Sequence, residues 1–189
     1  GLLPITLQDE SVLTELRCHT PRSIVPASVE VGEFPEKKCD QDPLDFFFIG
    51  GLDWMPNQEG LKWFLEKVWP LFHRNHETAT FHIAGRNAPG FLQHPEIPGV
   101  KFHGEVDSAV DFMQSHGVMI VPLFSGSGMR IKIIEAMAAG RPVISTEIGA
   151  EGLGVQNIRI ANTNESFISA MEEALESRSE FLDMAARAK

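Results

Sequence analysis

The sequence predicts an α/β fold, a Rossmann-like, doubly wound parallel sheet with helices on both faces. Three observations lead there. Short runs that are apolar throughout, such as Phe46–Ile49 and Val118–Val121, have the pattern of strands buried on both faces. Stretches between them carry apolar residues at three- and four-residue spacing, as amphipathic helices do. The apolar runs stop at Gly or Pro, which gathers the turns along one edge of the sheet.

Residues 1 to about 28 read as one α/β unit without partners. It has a strand-like Leu2–Leu7, a helix starting near Asp9 or Ser11 with Val12, Leu13 and Leu16 on one side, and a second apolar piece at Ile24-Val25. Residues 29–44 are polar, with Pro35, Lys37-Lys38 and Asp40-Gln41-Asp42, and read as an interdomain linker. From 45 to 189 the alternation is regular. Phe46–Ile49 is a strand, and Asn57 to about His73 a helix with Leu61, Phe64, Leu65, Val68 and Phe72 inward. Phe81–Ala84 and Val100–His103 are strands, Asp107–His116 a short helix, and Val118–Val121 a strand stopped by Pro122. Ile131–Ala139 is a helix closed by Gly140, where a C-terminal glycine belongs. Val143–Thr146 and Ile158–Ala161 are strands; Asn162 or Asn164 caps a helix over Glu165–Glu176, and Ser179–Ala188 is a last helix.

Composition narrows the function classes. With 189 residues, 43% hydrophobic and 22% charged, the chain can bury one core plus a smaller piece. A net charge of -10 argues against a broad grip on nucleic acid or an anionic membrane, though not against a local phosphate site. Cys18 and Cys39 show neither CxxC nor zinc spacing, and two reduced thiols are the default reading over a disulfide. No apolar run reaches the roughly 18–20 residues that span a bilayer, and Gly1-Leu2-Leu3-Pro4 is too short for a signal peptide, so a cytoplasmic protein is expected.

In a parallel sheet, ligands sit at the carboxyl ends of the strands. Here those ends are Gly50-Gly51, Gly85-Arg86, Gly104-Glu105 and Pro122–Gly128. The richest is Ser125-Gly126-Ser127-Gly128-Met129-Arg130-Ile131-Lys132, with a helix expected to begin near Gly128. Free N–H groups at a helix start, the dipole behind them and two basic residues on the first turn make an anion site. The spacing matches neither GxxxxGK[ST] nor GxGxxG, so a flexible loop with solvated charges stays open as the alternative.

The run from Gly126 to Thr146, Gly-Ser-Gly-Met-Arg-Ile-Lys-Ile-Ile-Glu-Ala-Met-Ala-Ala-Gly-Arg-Pro-Val-Ile-Ser-Thr, resembles the signature of retaining GT-B glycosyltransferases of the GT4 type (group 1). Ile24-Val-Pro-Ala-Ser-Val looks like that family's interdomain crossing, Phe48 to Leu61 like the first strand and loop of its C-terminal domain, and Phe102-His-Gly-Glu-Val like its base-binding turn. The resemblance implies the donor-binding, C-terminal half of GT-B, with residues 1–28 the tail of an N-terminal acceptor domain. It implies transfer of a sugar from a UDP-, GDP- or ADP-linked donor to an acceptor glycan or lipid-linked saccharide, without a metal or other cofactor. A link to the membrane would run only through that acceptor.

Carried onto this chain, Glu135 matches the second glutamate of the EX7E motif, which holds the donor ribose; a carboxylate can accept both hydrogen bonds of a vicinal diol. The alternative for Glu135 is an i,i+3 surface pair with Lys132. The first glutamate falls on Ser127, a departure, so the Ser127 hydroxyl or the N–H groups of Ser127, Gly128 and Met129 are expected to meet the sugar instead. Arg130 and Lys132 resemble the Arg-x-Lys variant of the motif and should face the diphosphate. Arg130, Lys132 and Glu135 are the expected catalytic group. Gly51 belongs to the loop Gly50–Asn57 near the same phosphates, where relatives place an Arg and a Lys and this chain has Leu52, Asp53 and Asn57. Trp54 is expected to pack rather than stack on a base. Arg86 is a base- or phosphate-side contact or a plain surface arginine, and Glu105-Val106 should meet the base through backbone groups.

Other signals are weaker. Asp40-Gln41-Asp42 matches the metal-diphosphate DxD pattern, but as a solvated turn in the linker. His73-x-x-His76 lacks a third ligand nearby in sequence, and His82 and His103 read as packing histidines in strands. Two other functions stay in play: a nucleotide-sugar 2-epimerase-like isomerase, and a non-catalytic nucleotide-binding domain.

Overall fold

A computed structural model describes residues 1–25, 45–93, 96–153 and 157–188. The linker reading and the DxD pattern of Asp40 to Asp42 lie outside the described residues. Six strands form one all-parallel sheet: β1 (Phe46–Ile49), β2 (Phe81–Ala84), β3 (Val100–Gly104), β4 (Val118–Val121), β5 (Val143–Ser145) and β6 (Arg159–Ile160), in the order β3-β2-β1-β4-β5-β6. Strand order reverses between β1 and β4, the switch point where such sheets open a crevice.

The four residues of β1, β2 and β4 are all buried, which is why they lack an in/out alternation. Phe46 and Phe48 face one apolar core with Phe64, Trp69, Phe81 and Phe167, while Phe47 and Ile49 face a second with Met119, Val121 and Ile133. The helices follow the same division. Numbered in order, they are α1 (Leu7–Glu15), α2 (Met55–Trp63), α3 (Trp69–His73), α4 (Gly90–Gln93), α5 (Ala109–Gln114), α6 (Ile131–Ala138), α7 (Asn164–Glu176) and α8 (Arg178–Ala188). The α2, α3 and α7 helices cover the first core, and α5 and α6 the second.

Local chemistry accounts for several departures from expectation. The helix expected over Asn57–His73 starts at Met55 and passes through a π turn, Phe64–Val68, before α3. Pro70 has no N–H to give an α-helical ladder, and the widened turn, with Trp69 N–H on Phe64 C=O, absorbs it. Leu2–Leu7 is not a strand; Leu2 makes one isolated bridge with Arg22. The reason is a capping box at Thr6 and Asp9, each bonding the other's backbone, which starts α1 at Leu7 rather than at Asp9 or Ser11. Neither Asn162 nor Asn164 caps α7; Thr163 does, in a reciprocal pair with Ser166. At its far end α6 closes as expected: Gly140, at φ 71, leads a turn in which Gly140 N–H bonds Met137 C=O and Arg141 N–H bonds Ala136 C=O.

Helix α2 lies so close to the exit of β4 that a Cβ at Gly60 would stand 2.0 Å from the Pro122 carbonyl oxygen. Only glycine fits there, and it holds the start of α2 over the switch point.

Candidate functional site

The turn after β4 and the turn after β1 meet at the switch point. Gly126 and Gly128 take φ of 97 and 88, values that delay the helix. Helix α6 therefore begins at Ile131, where the predicted helix over Ile131–Ala139 starts and three residues past Gly128, with Arg130 as its N-cap residue. The N–H groups of Ser127, Gly128 and Met129 thus belong to the loop and not to a helix start. Gly128 N–H donates to Glu151 Oε2 at 3.2 Å.

Arg130 is 7% exposed. Its Nη1 donates to the carbonyls of Ser127 at 2.6 Å and Gly128 at 2.7 Å, fastening the glycine loop to its own side chain. The guanidinium lies 5.0 Å from the Trp54 ring centroid, a cation–π contact. Its Nε and Nη2 are buried without a hydrogen-bond partner among the described residues. Burial lowers its pKa from the ordinary value, and Glu151 opposes that shift.

Lys132 reaches across the switch point. Its Nζ donates to Asn57 Oδ1 at 3.0 Å and sits 4.0 Å from the Phe48 ring centroid. Asn57 is fixed in turn, its Nδ2 donating to Gly51 C=O at 2.7 Å. Burial, with the charge of Arg130 behind it, pulls the Lys132 ammonium down to about 7. The surface pair Lys132–Glu135 considered from sequence does not form. Glu135, one turn along α6, is half-buried; its carboxylate has no partner among the described residues, and burial raises its pKa.

The remaining sequence candidates divide. Gly51 lies in the cleft through its carbonyl. Ser127, Gly128 and Met129 line a pocket of about 220 Å³ with Glu151, Thr6 and Asp9. Arg86 is exposed beyond β2, where its carbonyl accepts Leu52 N–H at 3.0 Å. Glu105 is exposed and Val106 half-buried just past β3. Trp54 packs, but against Arg130 and half in solvent rather than in a core.

Sequence reasoning missed three participants. Asn57 was noted only as a weak substitute for a basic residue, yet it holds Lys132. Glu151 comes from the loop after β5, far along the chain. The third is a polar cluster at the opposite edge. Asp45, before β1, accepts Gly117 N–H at 2.6 Å and meets His116 Nδ1 at 2.7 Å. His82 Nε2 lies 3.4 Å from the same carboxylate, and His82 Nδ1 is 2.8 Å from His103 Nε2. The one available signal was positional: Asp45 and His116-Gly117 each immediately precede a predicted strand.

Two basic side chains at the switch point of a parallel sheet, with a carboxylate one helical turn away, are groups of the kind that meet a diphosphate. The sequence profile of the family described as "Glycosyl transferases group 1" matches residues 43–177. An uncharacterized 44.6 kDa protein in the cps region of Klebsiella pneumoniae is 26% identical over 151 residues, 75% of this chain and 37% of that protein. Among solved structures, TarM superposes with a TM-score of 0.79 at 13% identity over 100% of this chain and 39% of its own. HepE from Anabaena, in complex with UDP, gives 0.76 at 13% over 98% and 57%. The C-terminal domain of the group 1 protein LpcC from Francisella tularensis gives 0.67 at 15% over 85% of this chain and 94% of that domain. The chain thus spans less than two thirds of the Klebsiella relative, TarM and HepE, and nearly all of the LpcC domain.

Proposed function

The chain belongs to the glycosyl transferases group 1 family, and from that premise we propose that it is the donor-binding half of a retaining glycosyltransferase. It binds a nucleoside-diphosphate sugar in the cleft between the β1 and β4 turns. One observation carries this reading: two cations, Arg130 and Lys132, are enclosed at the switch point, and two nitrogens of Arg130 have no acceptor among the described residues. Buried donors without partners call for an explanation, and a diphosphate supplies the acceptors.

In the reaction, the bond between the anomeric carbon and the diphosphate oxygen breaks, and negative charge grows on the departing phosphate. Lys132, positioned by Asn57, and Arg130 stabilise that charge, so no metal is needed at the diphosphate. Glu135 accepts hydrogen bonds from the ribose hydroxyls. Glu151 supplies the carboxylate beside the sugar that Ser127 does not, because its Oε2 already stands at the Gly128 N–H, next to Ser127. Gly51, Glu105, Val106 and Arg86 border the base and phosphates. The acceptor, a glycan or lipid-linked saccharide, is bound by residues outside these 189, so this chain alone binds donor nucleotide without transferring sugar.

A thermal-shift titration with UDP, GDP and ADP, with and without EDTA, tests the proposal. One of them at 100-fold its dissociation constant adds about 2.7 kcal/mol of stability, EDTA leaves its affinity unchanged, and Lys132→Ala removes the shift. If none of the three moves the melting temperature, the donor-site assignment fails. Rapid sugar transfer by the chain alone would overturn the division of labour. Nucleotide binding without transfer or hydrolysis by a longer protein carrying the acceptor half would favour the non-catalytic reading, to which Ser127 points.

A further inference from the structure

The sheet carries a second set of polar groups at its amino-terminal edge. His82 is the second residue of β2, His103 lies near the end of the neighbouring β3, and His116 closes the turn between α5 and β4. One ring nitrogen from each lies within 4.8 Å of the other two. His82 and His116 are 7% and 8% exposed, whereas His103 is open to solvent.

We propose that His82, His103 and His116 form a binding site for a single divalent zinc-like ion, with Asp45 as the carboxylate that orients it. Each ring's second nitrogen decides which one faces the ion. Asp45 Oδ2 takes Nδ1 of His116 at 2.7 Å, leaving Nε2 to coordinate. Thr80 Oγ1 takes Nε2 of His82 at 3.1 Å, leaving Nδ1, which already points at His103 Nε2. A carboxylate behind a metal-binding imidazole fixes its tautomer and raises its basicity. Asp45 is itself held, by Gly117 N–H.

Zinc–nitrogen bonds of about 2.0–2.1 Å in a tetrahedral shell set ligand nitrogens roughly 3.3 Å apart. To hold the ion, the 2.8 Å contact opens slightly and the wider pairs, all within 4.8 Å, close. The exposed ring of His103 is the entry path, and the fourth position is left for water. Three imidazoles without thiolate favour zinc over the hard cations magnesium and calcium. The ion would tie edge strand β3 to β2 and to the start of β4, about 16 Å along β1 from the Gly50 turn.

The chain is stripped with a chelator and titrated with ZnCl2 by calorimetry, and with CoCl2 by visible absorption. The expected result is one Zn2+ per chain, a raised melting temperature, and the d–d bands of tetrahedral Co2+ without thiolate charge transfer. His103→Ala, a change at an exposed position, weakens Zn2+ binding about 100-fold or more, and Asp45→Asn weakens it 10–100-fold. His103→Gln gives the same loss as His103→Ala if the ring is a ligand. Sub-stoichiometric Zn2+, or equal affinity in wild type and both His103 variants, overturns the site. Nucleotide affinity is expected to be the same with and without Zn2+, so this test and that of the donor site stand apart.

Discussion

The two edges of one sheet handle buried polarity in opposite ways. At the carboxyl edge, Arg130 and Lys132 are enclosed with too few acceptors: two guanidinium nitrogens have no partner, and Lys132 has a single asparagine oxygen. At the amino edge, Asp45 meets a backbone N–H and an imidazole, and the histidines continue the chain to Thr80. A cluster whose groups bond one another stabilises the fold with or without an added ion, while an unsatisfied one costs stability until a ligand completes it. Substitutions at the two edges should therefore move different quantities.

The largest effect is expected at the satisfied edge. Asp45→Ala leaves Gly117 N–H and the His116 ring without their acceptor inside the protein, and should cost about 3 kcal/mol of folding stability, read by urea denaturation. Bound nucleotide should be unaffected in whatever fraction remains folded. At the other edge the sign reverses. Lys132→Met removes an enclosed cation and should raise the stability of the ligand-free chain by about 0.5–2 kcal/mol, while nucleotide binding is lost. A Lys132→Met chain that is less stable than wild type would remove the contrast between the edges.

Next is pH. In the proposed site it is the ammonium form of Lys132 that meets the diphosphate, and in the free chain burial pulls that ammonium down to about 7. Affinity should therefore be full below pH 7 and fall as pH rises above it, by up to about tenfold per unit until the raised pKa of the complex is reached. Lys132→Arg should flatten that dependence, because arginine stays charged. Calorimetry at pH 6, 7, 8 and 9 measures both. The smallest effect is expected for Glu135→Gln, which keeps the shape and loses the charge of the ribose acceptor: about 1 kcal/mol, or roughly fivefold, in nucleotide affinity. The matching ribose-free pyrophosphate should bind both forms equally.

Much of the fold was legible because the strands are apolar on both faces. Phe46–Ile49, Phe81–Ala84 and Val118–Val121 were delimited to the residue, since a fully buried strand leaves nothing to alternate. Helix starts were less legible. Asn162, Thr163 and Asn164 are all good caps, and the choice fell to Thr163 because only there does a hydroxyl three residues on, Ser166, bond back. The start of α6 at Ile131 was legible, but not that positive-φ Gly126 and Gly128 keep the glycine loop itself out of the helix.

In the candidate site, Arg130, Lys132 and Glu135 were visible as a local run resembling a family signature, and the structure places Arg130 and Lys132 at the cleft. Their supports were not visible. Asn57 lies 75 residues from Lys132, Glu151 lies 23 from Gly128, and Asp45 lies 71 from His116. A single sequence records which residues are near in the chain, and these pairs are made by the sheet's crossovers.

The enclosed ammonium of Lys132 also gives this site a distinct reactivity. A solvent-exposed lysine, titrating near 10.4, offers only about one free amine in two thousand at pH 7. Lys132, pulled down to about 7, offers a far larger share. Neutral amines attack acylating and aldehyde reagents small enough to reach them, so at neutral pH Lys132 should react with a small reagent faster once charge is the only barrier, and a bound diphosphate should shield it. The same burial that costs the fold some stability therefore makes Lys132 a chemical handle for the cleft.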